Sequence, residues 1–458
     1  MTAAGGRAAA TAVRAPAGGR ARRAAGPQRR RQARRQGRGP ARADAGRTPV
    51  ISGIGVVAPT GVGAAEHWAA TLRGVCGLAP ITAFDTAGLP VHVAGQVTGF
   101  DPERFVPDRL RVQTDRWTWM ALAAAELALA DARLDPAAED DPFALAVLTS
   151  SASGGNEFGQ REIQALYAEG PQAVTAYQSI AWFYAASTGQ LSIRHGIKGP
   201  CGVIVSDGAG GIDAAAQARR LIRHGTEAVL LGGTEAPLSP YAITCHGTRE
   251  VSGGRDPRTA YRPFGRSASG AVLGEGGAIL VVEERERALR RGAPTLYAEL
   301  AGTASTHDAH RAAGPPPDHR QLARAMRLAI ERAGIAPEDV DVVFADGAGD
   351  PVRDAQEAAA INEVFAHAVG SVPVTVPKTM TGRLGSGAAA LDLAWAALAL
   401  HHDTIPPSVN LEAEGGYGLD LVTEPREHAA LRHALVVARG SGGFNAAAVL
   451  RAVRDDVG

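Results

Sequence analysis

The chain has 458 residues, 45% of them hydrophobic, and its 47 basic and 47 acidic residues give a formal net charge of zero. This length and apolar content allow two domains of ordinary size or one large duplicated fold. The three cysteines (Cys76, Cys201 and Cys245) are too few and too scattered for a disulfide framework or a zinc site. No apolar run reaches the length of a membrane-spanning helix. We therefore expect a cytoplasmic protein with reduced thiols and no metal.

The charge is unevenly distributed along the chain. Residues 1–47 contain 13 arginines and one acidic residue, Asp44, which leaves 34 basic and 46 acidic residues in the remainder. An acidic body does not favour nucleic acid as a partner. Residues 1–47 lack apolar periodicity, and we expect a disordered tail. The alternative interpretations are a start codon assigned too early, a basic arm that binds nucleic acid or another anion, and a targeting segment.

From residue 48 onward, strands and helices alternate, and the order of elements occurs twice. Each half contains a helix, then a strand, then a strand–turn–helix unit. The predicted bounds are 114–132, 143–148 and 203–223 in the first half, and 318–333, 340–345 and 374–401 in the second. Two such copies predict a duplicated α/β fold with buried central sheets, in which turns of both halves meet at one site.

The first strand–turn–helix unit is the most informative segment. A β-branched strand beginning at Val203 runs into a turn of small residues, and a helix is predicted from Asp213 to about Arg223. Backbone N–H groups converge at such a turn, and the helix dipole favours a developing anion there, so the position suits a nucleophile. The tip of the turn is Gly208, which has no side chain. The sequence therefore predicts the scaffold of a covalent catalyst without its reacting atom.

Several motifs and their order along the chain resemble those of the β-ketoacyl-ACP synthases of thiolase fold. They are the start at residues 53–59, Tyr261-Arg262-Pro263-Phe264, Gly274-Glu275-Gly276-Gly277 and the closing segment at residues 440–445. The resemblance covers residues 48–454. It implies a thiolase-like α/β fold, with duplicated α/β halves at 48–298 and 299–454 that form a layered α-β-α-β-α core. It implies no cofactor.

Condensing members of that family use one Cys and two His. The Cys takes the acyl chain, and the His residues assist decarboxylation of the malonyl extender and stabilise the thioester oxyanion. The matching positions here hold Gly208, Asp346 and Arg383. Asp is only an acceptor at neutral pH, and Arg stays protonated. The resemblance therefore implies that no catalytic residue remains. Since the family's two histidines converge on one Cys, we expect Asp346 and Arg383 to form a buried ion pair.

The sequence resembles one branch of the family more closely, namely the chain length factor, or ketosynthase β, of type II aromatic polyketide synthases. Residues 209–214, 381–384 and 188–196 carry this resemblance. It implies a non-catalytic subunit that pairs with a catalytic ketosynthase α in a heterodimer and meets acyl carrier protein transiently. Such a subunit sets the length of the poly-β-ketone. Many members have Gln in place of Gly208, so the decarboxylation role proposed for that Gln is not expected here.

In this branch, the residues that limit chain length lie on the helix after a Gly-Gly turn. The corresponding residues here are Asn156, Gly159 and Ile163, whose spacing of three and four places them on one helix face. They are less bulky than aromatic residues would be. We expect them to line a long elongation tunnel and to allow a product at the longer end of the family's range. Alternatively, this helix face belongs to a subunit interface and has no role in selecting product length.

Two other functions remain open at this point. One is an active β-ketoacyl-ACP synthase with a relocated nucleophile, for which Ser206, Asp207 and Cys245 are the candidates. The other is a non-catalytic homodimeric binding protein. None of the histidines lies in either catalytic motif, and we expect those elsewhere, such as His246, to be surface or packing residues.

Overall fold

The computed structural model describes residues 46–246, 251–310, 318–366, 372–412 and 416–454. The prediction for residues 1–47 therefore lies almost entirely outside the described residues. The strands are β1 (Pro49–Ala58), β2 (Gly61–Val62), β3 (Leu78–Pro80), β4 (Val93–Gly95), β5 (Leu145–Ser150), β6 (Cys201–Ile204), β7 (Ala228–Glu235), β8 (Gly276–Glu284), β9 (Ala298–His307), β10 (Val342–Phe344), β11 (Pro373–Thr375), β12 (Thr404–Ile405), β13 (Asp420–Leu421), β14 (Arg426–Glu427), β15 (His433–Gly440) and β16 (Phe444–Ala452). The α-helices are α1 (Ala64–Leu72), α2 (Asp108–Gln113), α3 (Arg116–Ala132), α4 (Asn156–Glu169), α5 (Gln178–Ala181), α6 (Ala186–His195), α7 (Gly210–Arg223), α8 (Pro240–His246), α9 (Arg285–Arg290), α10 (Arg320–Ala333), α11 (Pro351–Val364) and α12 (Ser386–His402).

The main sheet has the strand order β13-β11-β10-β15-β16-β9-β1-β8-β7-β5-β6, with β2 paired to β1. The order β1-β8-β7-β5-β6 in the first half repeats as β9-β16-β15-β10-β11 in the second. In each half the first two pairings are antiparallel and the last two are parallel. The halves join through β1 and β9, which pair at only two positions. The predicted duplication is therefore present in the topology.

Among the described residues, three hydrophobic cores lie between the layers. The central core joins α7 and α12 to strands of both halves, while α3 and α10 each pack on the outer side of one half. Helix α12 is buried on all sides from Ser386 to Leu400, with Asp392 as its one charged residue there, as expected of a mostly apolar helix packed between the two halves. These elements form the expected α-β-α-β-α layers. No helix among the described residues is long and apolar enough to cross a membrane.

The predicted helices are present, but each begins two or three residues away from its predicted start. Helix α3 begins at Arg116 because the Asp115 carboxylate accepts a hydrogen bond from the N–H of Trp117 at 3.2 Å and caps the helix. The start predicted at Asp213 was wrong, since α7 begins about one turn earlier, at Gly210. A Cβ atom on Gly211 would lie 2.4 Å from the backbone N of Ala390 in α12. Gly211 therefore permits close packing of α7 on α12, whereas the sequence pattern predicted a turn at this position.

Candidate functional site

The turn between β6 and α7 lies at the junction of the two halves. Asp207 has a φ of 48°, in the left-handed region that residues other than glycine rarely adopt. Its carboxylate accepts a hydrogen bond from the N–H of Ser441 at 2.6 Å, and its carbonyl accepts one from Ser386 Oγ at 3.1 Å. Both donors belong to the second half. Contacts across the junction therefore hold this backbone conformation.

Gly208 follows in the position that the resemblance assigns to the catalytic Cys. A Cβ atom there would lie 2.4 Å from the carbonyl oxygen of Arg439 and 3.4 Å from Nη2 of Arg383. The approach is reciprocal, because a Cβ on Gly440 would lie 2.4 Å from the carbonyl oxygen of Ser206. The end of β15 thus packs directly against the turn. The position holds no nucleophile, and the surrounding backbone leaves no room for a side chain.

Asp346 and Arg383 form the predicted ion pair. Arg383 Nη1 lies 2.9 Å from Asp346 Oδ2, and Nη2 lies 3.0 Å from Oδ1, so the pair is bidentate. Asp346 is buried, and the side chain of Arg383 is 19% exposed. Asp346 Oδ1 also accepts a hydrogen bond from the N–H of Arg439 at 3.0 Å. Since Arg383 also approaches Gly208, the three predicted positions converge on one place.

The charges of this pair are fixed over the physiological range. Burial raises the pKa of Asp346, but the positive charges of Arg383 and Lys378 outweigh burial and lower it to about 2. The neighbouring carboxylate raises the pKa of Arg383, although burial opposes the shift. Neither group therefore exchanges a proton near neutral pH. The pair cannot supply the general acid or base that two histidines would provide.

A cavity of about 90 Å³ lies beside the pair. Its lining includes Gly208, Arg383, Glu235, Asp350 and His246. Pockets that enclose organic ligands are usually about 300–1,000 Å³, so this space suits a few water molecules and not a polyketide chain. His246 was expected to be a surface or packing residue; it is exposed and also lines this cavity.

Glu235 is a buried carboxyl at the cavity that the sequence analysis missed. It ends β7 and accepts hydrogen bonds from the N–H of Ala152 at 2.5 Å and from Ser153 Oγ at 2.6 Å. Burial raises its pKa to about 7, against these hydrogen bonds. A charged residue directly after a buried apolar strand is the signal that could have identified it, because side chains at the carboxyl ends of parallel strands often reach functional sites.

A second buried ion pair lies behind the first. Lys378 Nζ is 2.6 Å from Asp392 Oδ2, and both side chains are almost fully buried. Burial outweighs the effect of Lys378 and raises the pKa of Asp392 to about 6. Lys378 also helps to lower the pKa of Asp346. The site therefore keeps two buried charge pairs.

Two family models match the sequence. The model described as "Beta-ketoacyl synthase, N-terminal domain" matches residues 48–288, and "Beta-ketoacyl synthase, C-terminal domain" matches residues 297–412. The chain belongs to the β-ketoacyl synthase family. The resemblance inferred from the sequence motifs is thereby confirmed.

Relatives within the family place the chain more closely. The ketoacyl synthase β subunit of the tetracenomycin polyketide synthase from Streptomyces glaucescens is 52% identical over 405 residues, which cover 88% of this chain and 98% of that protein. Among solved structures, the ishigamide ketosynthase/chain length factor aligns with a TM-score of 0.80 at 28% identity, covering 89% of this chain and 100% of that one. A type II polyketide synthase acyl-carrier protein in complex with its ketosynthase bound to the hexaketide gives the same four values. The chain is therefore grouped with the ketosynthase β subunits, which are also called chain length factors.

The residues expected to line a ketosynthase tunnel lie on α4, which begins at Asn156. Asn156 and Gly159 are buried, whereas Ile163 is 41% exposed. A Cβ atom on Gly159 would lie 2.9 Å from Cδ1 of Trp182. The three residues therefore share a helix but not one environment. The indole that covers Gly159 could not be inferred from the sequence pattern.

The candidates for a relocated ketosynthase nucleophile lie in unsuitable surroundings. Ser206 is buried, and its Oγ donates a hydrogen bond to Asp213 Oδ2 at 2.6 Å. An aspartate is too weak a base to generate an alkoxide. The Asp207 carboxylate is occupied by the N–H of Ser441. Cys245 is exposed on α8, and it is not among the described residues that line the cavity.

Proposed function

We propose that this chain is the non-catalytic subunit of a type II polyketide ketosynthase heterodimer and sets the length of the poly-β-ketone. One observation carries the proposal: the bidentate pair of Asp346 and Arg383 closes the site against Gly208. Gly208 supplies no nucleophile, and neither member of the pair exchanges a proton near neutral pH. The Cys and both His residues must therefore come from the ketosynthase α partner, which performs malonyl-ACP extension.

We place the partner on the side of β6. This strand ends the main sheet, so one of its edges is unpaired within the part of the chain that the structure describes. Helix α6 packs against it, and the segment before α6 exposes Trp182 and Phe183; Ile193 on α6 and Val205 after β6 are also exposed. An unpaired edge beside exposed apolar side chains favours association with another subunit. Gly159 lies next to this surface through its contact with Trp182, which suits a tunnel between the two subunits.

We also propose that the chain consists of two halves, residues 48–298 and residues 299–454. Its support is the gap between the two family matches, which end at residue 288 and begin again at 297. Strand β9, which starts the second copy of the strand order, begins at Ala298.

The test is steric and uses the heterodimer with ketosynthase α, carrier protein and malonyl units. Gly159→Leu introduces a side chain that meets the indole of Trp182, so the product should lose at least one two-carbon unit. Gly99→Leu is the matched control, because a Cβ at Gly99 meets nothing within 4 Å. The control should leave product length unchanged by mass spectrometry. An unchanged product with Gly159→Leu would contradict the length-setting role.

A further inference from the structure

At Gly159 the buried face of α4 is covered by the side chain of Trp182. The three heavy atoms nearest to a Cβ built on Gly159 all belong to Trp182: Cδ1 at 2.9 Å, Nε1 at 3.4 Å and Cγ at 3.7 Å. Ordinary van der Waals contact begins at about 3.4 Å. The indole therefore lies on the glycine itself, and even alanine at position 159 would force it to move by about half an ångström.

The backbone of Trp182 cannot retreat to make that space. Its carbonyl accepts a hydrogen bond from the N–H of Gly155 at 3.3 Å. A Cβ on Gly154 would lie 2.4 Å from the same carbonyl oxygen, so the Gly-Gly turn is packed against it. The turn immediately precedes α4. Because Trp182 is anchored to the same helix that carries Gly159, its indole can swing about its side-chain bonds, but its Cα cannot move away.

The far side of the indole is open. Trp182 is 46% exposed, and its neighbours Phe183 and Tyr184 are 53% and 39% exposed. The indole therefore stands between the buried face of α4 and the surface on which we place the partner subunit. A displacement away from position 159 would carry it towards that surface, and thus into space that the growing chain would occupy.

We propose that Trp182 is a length-determining residue, through which the size of residue 159 sets product length. Glycine at 159 lets the indole lie against α4 and leaves the tunnel long. A larger residue at 159 pushes the indole outward and shortens the tunnel. The inference rests on the proposed function, since it assigns the steric limit to Trp182 rather than to position 159 alone.

A double-mutant comparison of product length tests this mechanism. Gly159→Val, Trp182→Ala and the double variant are each assembled with ketosynthase α, carrier protein and malonyl units, and the products are sized by mass spectrometry. Gly159→Val should shorten the product by at least one two-carbon unit. Trp182→Ala should give a product no shorter than the wild type. The double variant should match Trp182→Ala, because no indole remains to be displaced.

Two additional variants keep the test decisive. Trp182→Leu replaces Trp182→Ala if size-exclusion chromatography shows that the alanine variant does not form the heterodimer. Phe183→Ala is the matched control, because this aromatic residue lies on the same segment but is not among the atoms nearest to Gly159. Gly159→Val should still shorten the product in the Phe183→Ala background.

The outcomes separate the inference from the proposed function. Equal shortening by Gly159→Val with and without Trp182 would overturn the role of Trp182 and leave the length-setting function intact. Unchanged product length in all variants would overturn both. Shortening that depends on Trp182 and not on Phe183 supports the inference.

Discussion

Breaking the Asp346–Arg383 pair should cost more than removing both partners. Arg383→Ala leaves the Asp346 carboxylate buried, with the N–H of Arg439 as its remaining hydrogen-bond donor among the described residues. Stranding a buried charge costs about 3–5 kcal/mol of unfolding free energy. Asp346→Ala should cost less, because Arg383 keeps the carbonyl oxygens of residues 346 and 439 as acceptors at 2.9 and 3.3 Å and is partly exposed.

The double variant removes both charges and leaves mainly a packing defect. We expect it to be more stable than Arg383→Ala by about 1–3 kcal/mol, the usual coupling between residues in one buried network. Urea unfolding followed by tryptophan fluorescence gives the comparison, since Trp117 and Trp395 are fully buried.

A surface pair provides the control. Asp420 and Arg426 have the same bidentate geometry, at 2.6 and 3.0 Å, but their side chains are 29% and 42% exposed. Arg426→Ala should therefore cost at most about 1 kcal/mol. If Arg383→Ala and the double variant unfold at the same urea concentration, the pair does not hold the site closed, and the reasoning fails.

Two further predictions concern the stability of the site. Gly208→Ala should lower the unfolding free energy by about 1–3 kcal/mol, because its Cβ would meet the carbonyl oxygen of Arg439. Gly189→Ala is the control and should not destabilise the protein, because the space around Gly189 is open. Equal urea midpoints for the two variants would contradict the close approach at Gly208. Burial raises the pKa of Glu235 from 4.5 to about 7, so the stability that this shift contributes is fully present below about pH 4.5 and is lost as the pH rises through 7. Urea midpoints between about pH 5 and 8 should therefore fall less steeply for Glu235→Gln than for the wild type.

The architecture could be predicted because strands and helices alternate in the same order in both halves of the sequence. The ends of elements were less accessible from sequence. Gly210 and Gly211 are typical of a turn, but they lie inside α7, where Ser150 of β5 approaches Gly210 and the backbone of α12 approaches Gly211 too closely for a side chain. The need for glycine at these positions can be recognised only from the tertiary contacts.

The site was predicted in part. The motifs that resemble the family located Gly208, Asp346 and Arg383, and the convergence of the family's histidines predicted the ion pair. Two features arise only from tertiary contacts. Glu235 meets Ser153 across 82 residues of sequence, and the indole of Trp182 reaches Gly159 from beyond α5. Neither contact follows from local patterns.

The most direct test of the account is the requirement for this chain in polyketide synthesis. The cognate ketosynthase α and carrier protein are supplied with malonyl units, with and without this chain, and the products are measured by mass spectrometry. We predict polyketide only when both subunits are present, and unchanged synthesis when Ser206→Ala, Asp207→Asn and Cys245→Ala variants replace the wild type. Condensation of malonyl units by this chain alone would contradict the account, because a nucleophile would then lie outside the closed site.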